Sequence, residues 1–372
     1  MNWDFCLALT AHDGDCTDFF TFCYHYSIRC HVAIVSVNQK RRNRKMEPMI
    51  TVEEPKTLQE AIITFADPDN ALWYMAAKLW PNGVVCPTCG RDDVNFLAKQ
   101  RRWQCKGKHP LRQFTAKVGT VFEDSPLPLE KWLPAVWMIT NAKNGVSSWE
   151  IHRALGVTQK TAWFMLHRIR LAMQKGSLIK LGGKGGKEVE VDETFIGGKS
   201  RNMHLDARKQ RITGTGGKDK AVVMGLLERG GEVRASVVPD RKRAALQTEV
   251  RKHVEAGSAL YSDALPSYNG LGKDYMHKVV DHAIEYVNER VHTNGLENFW
   301  SLLKRGLNGT YVSVEPFHLF RYLDEQTFRY NNRAKRDQPV DDSMRFQRVM
   351  SMLAGKRLTF EELTGKARQP AF

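Results

Sequence analysis

The sequence predicts a multi-domain α/β protein, in which small N-terminal modules precede a larger mixed-sheet domain. Three observations carry that prediction. Cysteines and a histidine fall at metal-knuckle spacing between residues 86 and 109. Helical periodicity runs from Pro128 to Gln174 and stops at KGSLIKLGGKGGK, residues 175–187, whose glycines and lysines make the best linker in the chain. Strand alternation then dominates, interleaved with helices.

Composition narrows the class. The 372 residues suffice for two or three domains, and an apolar share of 42% is that of an ordinary globular chain. No run of about twenty uncharged apolar residues occurs, so no membrane association is expected. A net charge of +15 points to a polyanionic partner, nucleic acid first. Seven cysteines, an odd count in a long chain, argue for a reducing compartment and hence the cytoplasm.

Residues 1–45 read unlike the rest. They mix aromatics with Cys6, Cys16, Cys23 and Cys30 without periodicity and end in the basic run Lys40–Lys45. This is expected to be either a poorly ordered extension or a start-site artefact, with Met46 or Met49 as the initiator. From Lys56 to Trp80 the spacing of Leu58, Ala61, Ile62, Phe65, Leu72, Met75 and Leu79 predicts two short helices. These helices and the ribbon that follows form a region over 56–116. In the ribbon Cys86, Cys89, Cys105 and His109 supply four ligands on two knuckles, which suits one structural, tetrahedral Zn²⁺. His109 is the weakest of the four, since a fourth cysteine is commoner there.

Within 128–174, a helix from Ser148 to Leu155 meets Gly156, and Thr158 caps a second helix bearing Ala162, Met165, Leu166 and Ile169. That is the helix-turn-helix pattern. Gln159, Lys160 and Thr161 stand where a recognition helix presents side chains to bases, with His167, Arg168 and Arg170 further along for phosphates.

After the linker, EVEVDETFIGG alternates, and AVVMGLLE and GEVRASVVP flank Arg229-Gly230-Gly231 as a hairpin. A helix over 242–256 leads to the apolar run SALYSDA, the short strand KVVDHA and an amphipathic helix over 291–311. Three antiparallel strands, a helix, two further strands and a helix is the order of a ribonuclease H-like domain, here 188–335, leaving 336–372 as a helical tail. In that order the first strand, the fourth strand and the last helix bring acids together, and these elements carry Asp192, Asp263 and Glu297. A carboxylate inside an apolar strand is costly unless paired or metal-bound. Two such acids plus a helical glutamate can hold two divalent cations, Mg²⁺ or Mn²⁺. Glu190 and Asp281 read equally well as edge-strand charges. On the last helix Leu296, Phe299, Trp300 and Leu303 form a buried stripe, and Glu297, Ser301 and Lys304 share its polar edge.

The series WPNGVVCPTCG, LPLEKWLPAVWMI, VEVDETFIGGK, YSDALPSY, HTNGLENFWSLLKRGLNGTY and FRYNNR, spread in order over about residues 56–335, resembles the insertion-sequence transposases of the IS1595 family (the ISXO2-like group). The resemblance implies an N-terminal zinc ribbon, a DDE-type nuclease domain and magnesium-dependent DNA cleavage and strand transfer. It implies recognition of terminal inverted repeats and target DNA by at least a homodimer, at the bacterial nucleoid. The three acids map onto Asp192, Asp263 and Glu297, and Lys304 onto a lysine expected to contact the transposon end beside Arg305. Some subgroups use asparagine for the last acid, so Asn294 and His292 are second choices for positioning metal or phosphate. The basic stretch 199–220 is expected to clamp DNA. Two rival functions belong to other classes: a catalytically silent DNA-binding regulator, and a nuclease that hydrolyses DNA without joining it.

Overall fold

The computed structural model describes residues 52–176, 179–183, 187–197, 204–206, 220–280 and 292–366. Residues 1–45, most of the basic stretch 199–220, and Asp281 lie outside them. The chain begins with α1 (Leu58–Ala66) and α2 (Pro68–Leu79). Asp67 ends one and caps the other, its side chain accepting from the amides of Asp69 and Asn70. A three-stranded antiparallel sheet follows, β1 (Val94–Leu97), β2 (Arg102–Cys105) and β3 (Gln113–Phe114). Helices α3 (Leu129–Asn141), α4 (Ser148–Leu155) and α5 (Gln159–Met173) complete the N-terminal half. Ser147 and Glu150 form a capping box at α4, Gly156 stops it in the left-handed region at φ 61°, and Thr158 caps α5.

The second half is built on a five-stranded sheet of order β6-β5-β4-β7-β8. Its strands are β4 (Glu188–Ile196), β5 (Ala221–Glu228), β6 (Val233–Val238), β7 (Ala259–Asp263) and β8 (Met276–Val280). β4, β5 and β6 are antiparallel, while β7 pairs in parallel with both β4 and β8. This is the ribonuclease H-like arrangement, with the expected Gly230 hairpin between β5 and β6. Helix α6 (Arg243–His253) joins β6 to β7. It packs Leu246 and Val250 on one face of the sheet, against Val189, Val191, Met224 and Leu260.

The other face receives α7 (Asn294–Arg305) and α8 (Leu319–Asn331). Leu296, Phe299, Trp300 and Leu303 are buried there with Val223, Leu227 and Val233, each contributing about 1.5–3 kcal/mol of burial. The expected single helix over 291–311 is refined. It begins at Asn294, and from Gly306 to Tyr311 it continues as a π-helical turn ending at Val312, φ 60°.

Two segments are held by contacts with the rest of the described chain. Leu181, inside the 175–187 stretch, is buried and exchanges backbone hydrogen bonds with His253 and Glu255, so the stretch is anchored to the C-terminal end of α6 there. In the 336–372 helical tail, α9 (Asp342–Met350) packs on the N-terminal core. Phe346 packs against Phe65, Tyr74 and Trp137 there, and the short α10 (Phe360–Leu363) closes the described chain.

Candidate functional site: an acidic cluster and a metal ribbon

In the ribbon, Cys86, Cys89, Cys105 and His109 converge with ligand atoms all within 4.8 Å of one another. The Sγ atoms of Cys89 and Cys105 are 3.6 Å apart, and both Cys86 and Cys89 lie 3.5 Å from Nε2 of His109. Tetrahedral zinc demands about 3.8 Å between two thiolates and about 3.5 Å between thiolate and imidazole, given bonds of roughly 2.3 and 2.05 Å. The four side chains therefore fit a structural zinc ion, with His109 completing the set. Gly90, at φ 71°, lets the first knuckle turn, and the Gly107 amide donates to Cys105 Sγ at 3.2 Å.

The second cluster lies on the large sheet. The parallel register pairs Glu190 with Tyr261, and carrying it two residues further sets Asp192 beside Asp263. Carboxylate oxygens of Asp192, Glu193 and Asp263 lie within 4.8 Å of one another. Asp192 is largely buried, and burial pushes its carboxyl up to about 6. The charges of Glu193 and Asp263 push the same way, while a hydrogen bond from Trp300 pulls it down. Like charges gathered at a partly dry strand end are the donor set that a hard divalent cation relieves.

Helix α7 is seated on this strand by specific contacts. Trp300 Nε1 donates to Asp192 Oδ2 at 2.9 Å. Glu190, two residues before Asp192 on the same face, accepts from the Leu296 amide at 3.1 Å, satisfying a free N–H of the first turn. Glu190 is thus a buried residue of the central strand, correcting its reading as an edge charge: order β6-β5-β4-β7-β8 puts β4 in the middle. Arg229 bridges Glu190 and Glu188 at 2.8 Å each and donates to the backbone oxygen of His292 at 2.7 Å. Its guanidinium also stands 3.0 Å from Nδ1 of His292. His292 therefore belongs to the clamp at the start of α7.

Two glycines permit the close approach. Gly225 lies opposite Asp192 on β5, and a Cβ there would sit 2.6 Å from the Trp300 indole. A Cβ on Gly295 would meet Leu227 at 2.4 Å and Glu190 at 2.7 Å. Glu297 lies on an exposed edge of the first turn, one turn before Trp300, and is outside the 4.8 Å cluster. Asn294, Lys304 and Arg305 are exposed on the same helix.

Comparison with known proteins agrees with this geometry. Residues 180–331 match the ISXO2-like transposase domain, and residues 67–107 match the transposase zinc-ribbon domain. A protein of Halobacterium salinarum described as "Uncharacterized protein in transposable element ISH50" is 30% identical over 263 residues, 66% of this chain and 85% of that relative. The chain belongs to the ISXO2-like transposase family. An "uncharacterized transposase-like protein" of Haemophilus influenzae is also similar, 30% identical over 102 residues, 27% of this chain and 82% of the relative. The ribbon match ends before His109, so the fourth ligand position rests on the geometry.

For an insertion-sequence transposase of this family the helix-turn-helix region holds a correction. His167, Arg168 and Arg170, expected to face phosphates, are all buried. Arg170 pairs with Glu325 of α8 at 2.7 Å, and Arg168 donates to the backbone oxygen of Glu123. His167 packs among Trp163, His318 and Tyr322. These three lie on the inward face of α5, which holds the two halves together. At the start of α5, Gln159 is half-buried and donates to Ser148 Oγ at 2.8 Å. Lys160 is exposed over the Phe360 ring, and Thr161 shares a 2.8 Å hydroxyl contact with Thr158. Among the described residues no helix is long and apolar enough to cross a membrane.

Sequence reasoning missed Trp300, Gly225, Glu190 and Glu193 as parts of the site. Periodicity marks Trp300 for packing alone, and its indole N–H is the available signal, since a buried indole seeks an acceptor.

Proposed function

We propose that this transposase cuts and joins DNA with Asp192, Asp263 and Glu297 as its acids. The observation that carries the reading is the meeting of Asp192, midway along β4, with Asp263, the last residue of the adjacent parallel strand β7, with α7 tied to Asp192 through Trp300. Two divalent cations, Mg²⁺ or Mn²⁺, would be held there and when bound supply Lewis acidity to the attacking and leaving oxygens of a phosphodiester.

The chain's own residues do the rest. Asp192 and Asp263 offer a preorganised pair of oxygens whose mutual repulsion a divalent cation would relieve. Glu297 closes the set from the helix edge one turn before Trp300. Lys304, two turns after Glu297 on that edge, and Arg305 neutralise phosphates of the transposon end. Asn294 and His292 support the start of α7. Gln159, Lys160 and Thr161 read the terminal inverted repeats; Gln159 gives up its contact with Ser148 to do so. Pairing two ends calls for at least a homodimer on DNA.

The test uses the full chain with oligonucleotides carrying the element's ends and a plasmid target. Asp192→Asn, Asp263→Asn and Glu297→Gln each abolish nicking and joined products while end binding persists. Wild-type strand transfer in the first two variants defeats the reading. Cleavage without joined products in the unaltered protein favours a purely hydrolytic nuclease.

A further inference from the structure

Glu193 follows Asp192 on β4, and its side chain is 2% exposed. Both its oxygens are engaged by residues far away in sequence. Oε1 accepts from Arg241 Nε at 2.8 Å and forms an ion pair with its Nη2 at 2.5 Å, and Oε2 accepts from the Tyr268 hydroxyl at 2.7 Å. Tyr268 is fully buried and lies five residues beyond Asp263, in the turn that follows β7.

That turn is stitched down along its length. Ser267 donates its hydroxyl to the Arg241 carbonyl at 2.6 Å, and Gln247 of α6 donates to the carbonyls of Ser267 and Asn269, each at 2.9 Å. The Leu265 amide donates to Oδ1 of Asp263 at 3.2 Å. The Arg241 guanidinium rests over the Phe195 ring at 5.2 Å, held on the same strand as Asp192. Beyond the β4–β7 register, a chain of contacts thus runs from β4 through Glu193 to the turn after Asp263.

We propose that Glu193, clasped by Arg241 and Tyr268, is a positioning residue that locks the Asp263 turn to the Asp192 strand and thereby sets the cation affinity of the acidic pair. The inference rests on the reading of Asp192 and Asp263 as cation ligands. Glu193 lies within ligand distance of both acids. Its charge is already balanced by Arg241 and each of its oxygens already accepts a hydrogen bond, so its role is to hold the ligands. Outer groups of this kind orient carboxylate ligands and tune the affinity of the site.

The experiment is calorimetric titration of zinc-loaded, full-length protein with Mn²⁺ alone, in parallel with thermal unfolding. The proteins are the unaltered chain, Glu193→Gln, Tyr268→Phe, the double variant and Asp263→Asn. Glu193→Gln and Tyr268→Phe are each expected to weaken Mn²⁺ binding by about tenfold to a hundredfold at unchanged stoichiometry. The double variant should bind no more weakly than Glu193→Gln, because the two residues act through one contact. Tyr268→Phe keeps the ring packing and remains decisive should Glu193→Gln fail to fold.

Unchanged Mn²⁺ affinity with a lower unfolding temperature would make the clasp purely structural and overturn the proposal. Loss of a bound ion in Glu193→Gln with unaltered binding in Tyr268→Phe would make Glu193 a ligand, which also overturns it. Unaltered binding in Asp263→Asn would instead remove the underlying reading of the acids.

Discussion

Trp300 donates its indole N–H to the carboxylate of Asp192 across 2.9 Å, joining α7 to β4, the central strand of the large sheet. The bond converts a packing residue into part of the site. It also fixes the rotation of α7, and with it the edge that presents Glu297 and Lys304.

Trp300→Phe keeps most of the ring burial and removes the donor. A large buried side chain trimmed in this way, with a buried acceptor left unpaired, costs about 2–3 kcal/mol. Metal-dependent nicking is expected to fall by at least about tenfold under conditions where the variant is fully folded, a factor equivalent to about 1.4 kcal/mol in the barrier. Activity equal to the unaltered protein at matched folded fraction would show that the bond has no part in the site.

Gly225→Ala places a methyl 2.6 Å from the indole and 2.8 Å from Leu296, both rigidly packed. Overpacking of this kind costs about 1–3 kcal/mol, and here the strain is relieved only by lifting α7 from the sheet. Denaturant unfolding should show the loss, and cleavage should fall with it. Gly272→Ala, where a methyl meets nothing within 4 Å, serves as the neutral control.

Removal of zinc should melt the ribbon selectively. Cys105 is fully buried beside Trp103, and the ribbon has three short strands to hold it otherwise. Cys105→Ser, or a strong chelator, is expected to abolish stoichiometric zinc and the amide protection of β1–β3 while β4–β8 keep theirs. Hydrogen exchange reads both halves in one experiment. Full protection of the ribbon without metal would contradict a structural role.

His167 should make the protein acid-sensitive. Burial, aided by the charge of Arg170, lowers its folded pKa to about 2, so the ring stays neutral in the folded chain. The unfolded chain takes up a proton below about 6.5, and the folded state then loses stability at up to about 1.4 kcal/mol per pH unit. Between pH 7 and pH 5 the unaltered protein should lose about 2 kcal/mol more than His167→Phe. Parallel unfolding curves at several pH values measure that difference, and other titrating groups cancel in it. Equal losses would place the proton elsewhere.

Much of this protein is legible along the chain. The 86–109 spacing places four ligands on two knuckles because a tetrahedral ion needs them there, and they meet as expected. The caps at Ser147 and Thr158 and the stop at Gly156 set α4 and α5, because capping is local chemistry. The order of strands and helices by itself determined the mixed sheet and brought Asp192 beside Asp263. Tertiary structure alone decided which polar residues are buried and what they touch. Periodicity shows that a helix has two faces, but not that α5 would turn Arg170 inward to meet Glu325, 155 residues away. Strand alternation puts Glu190 beside Asp192, but its burial follows from β4 taking the centre of the sheet. Gly225 and Glu193 carry no local signature of their roles. Their partners, Trp300 and Tyr268, come from 75 residues away, and such contacts exist only once the sheet has closed.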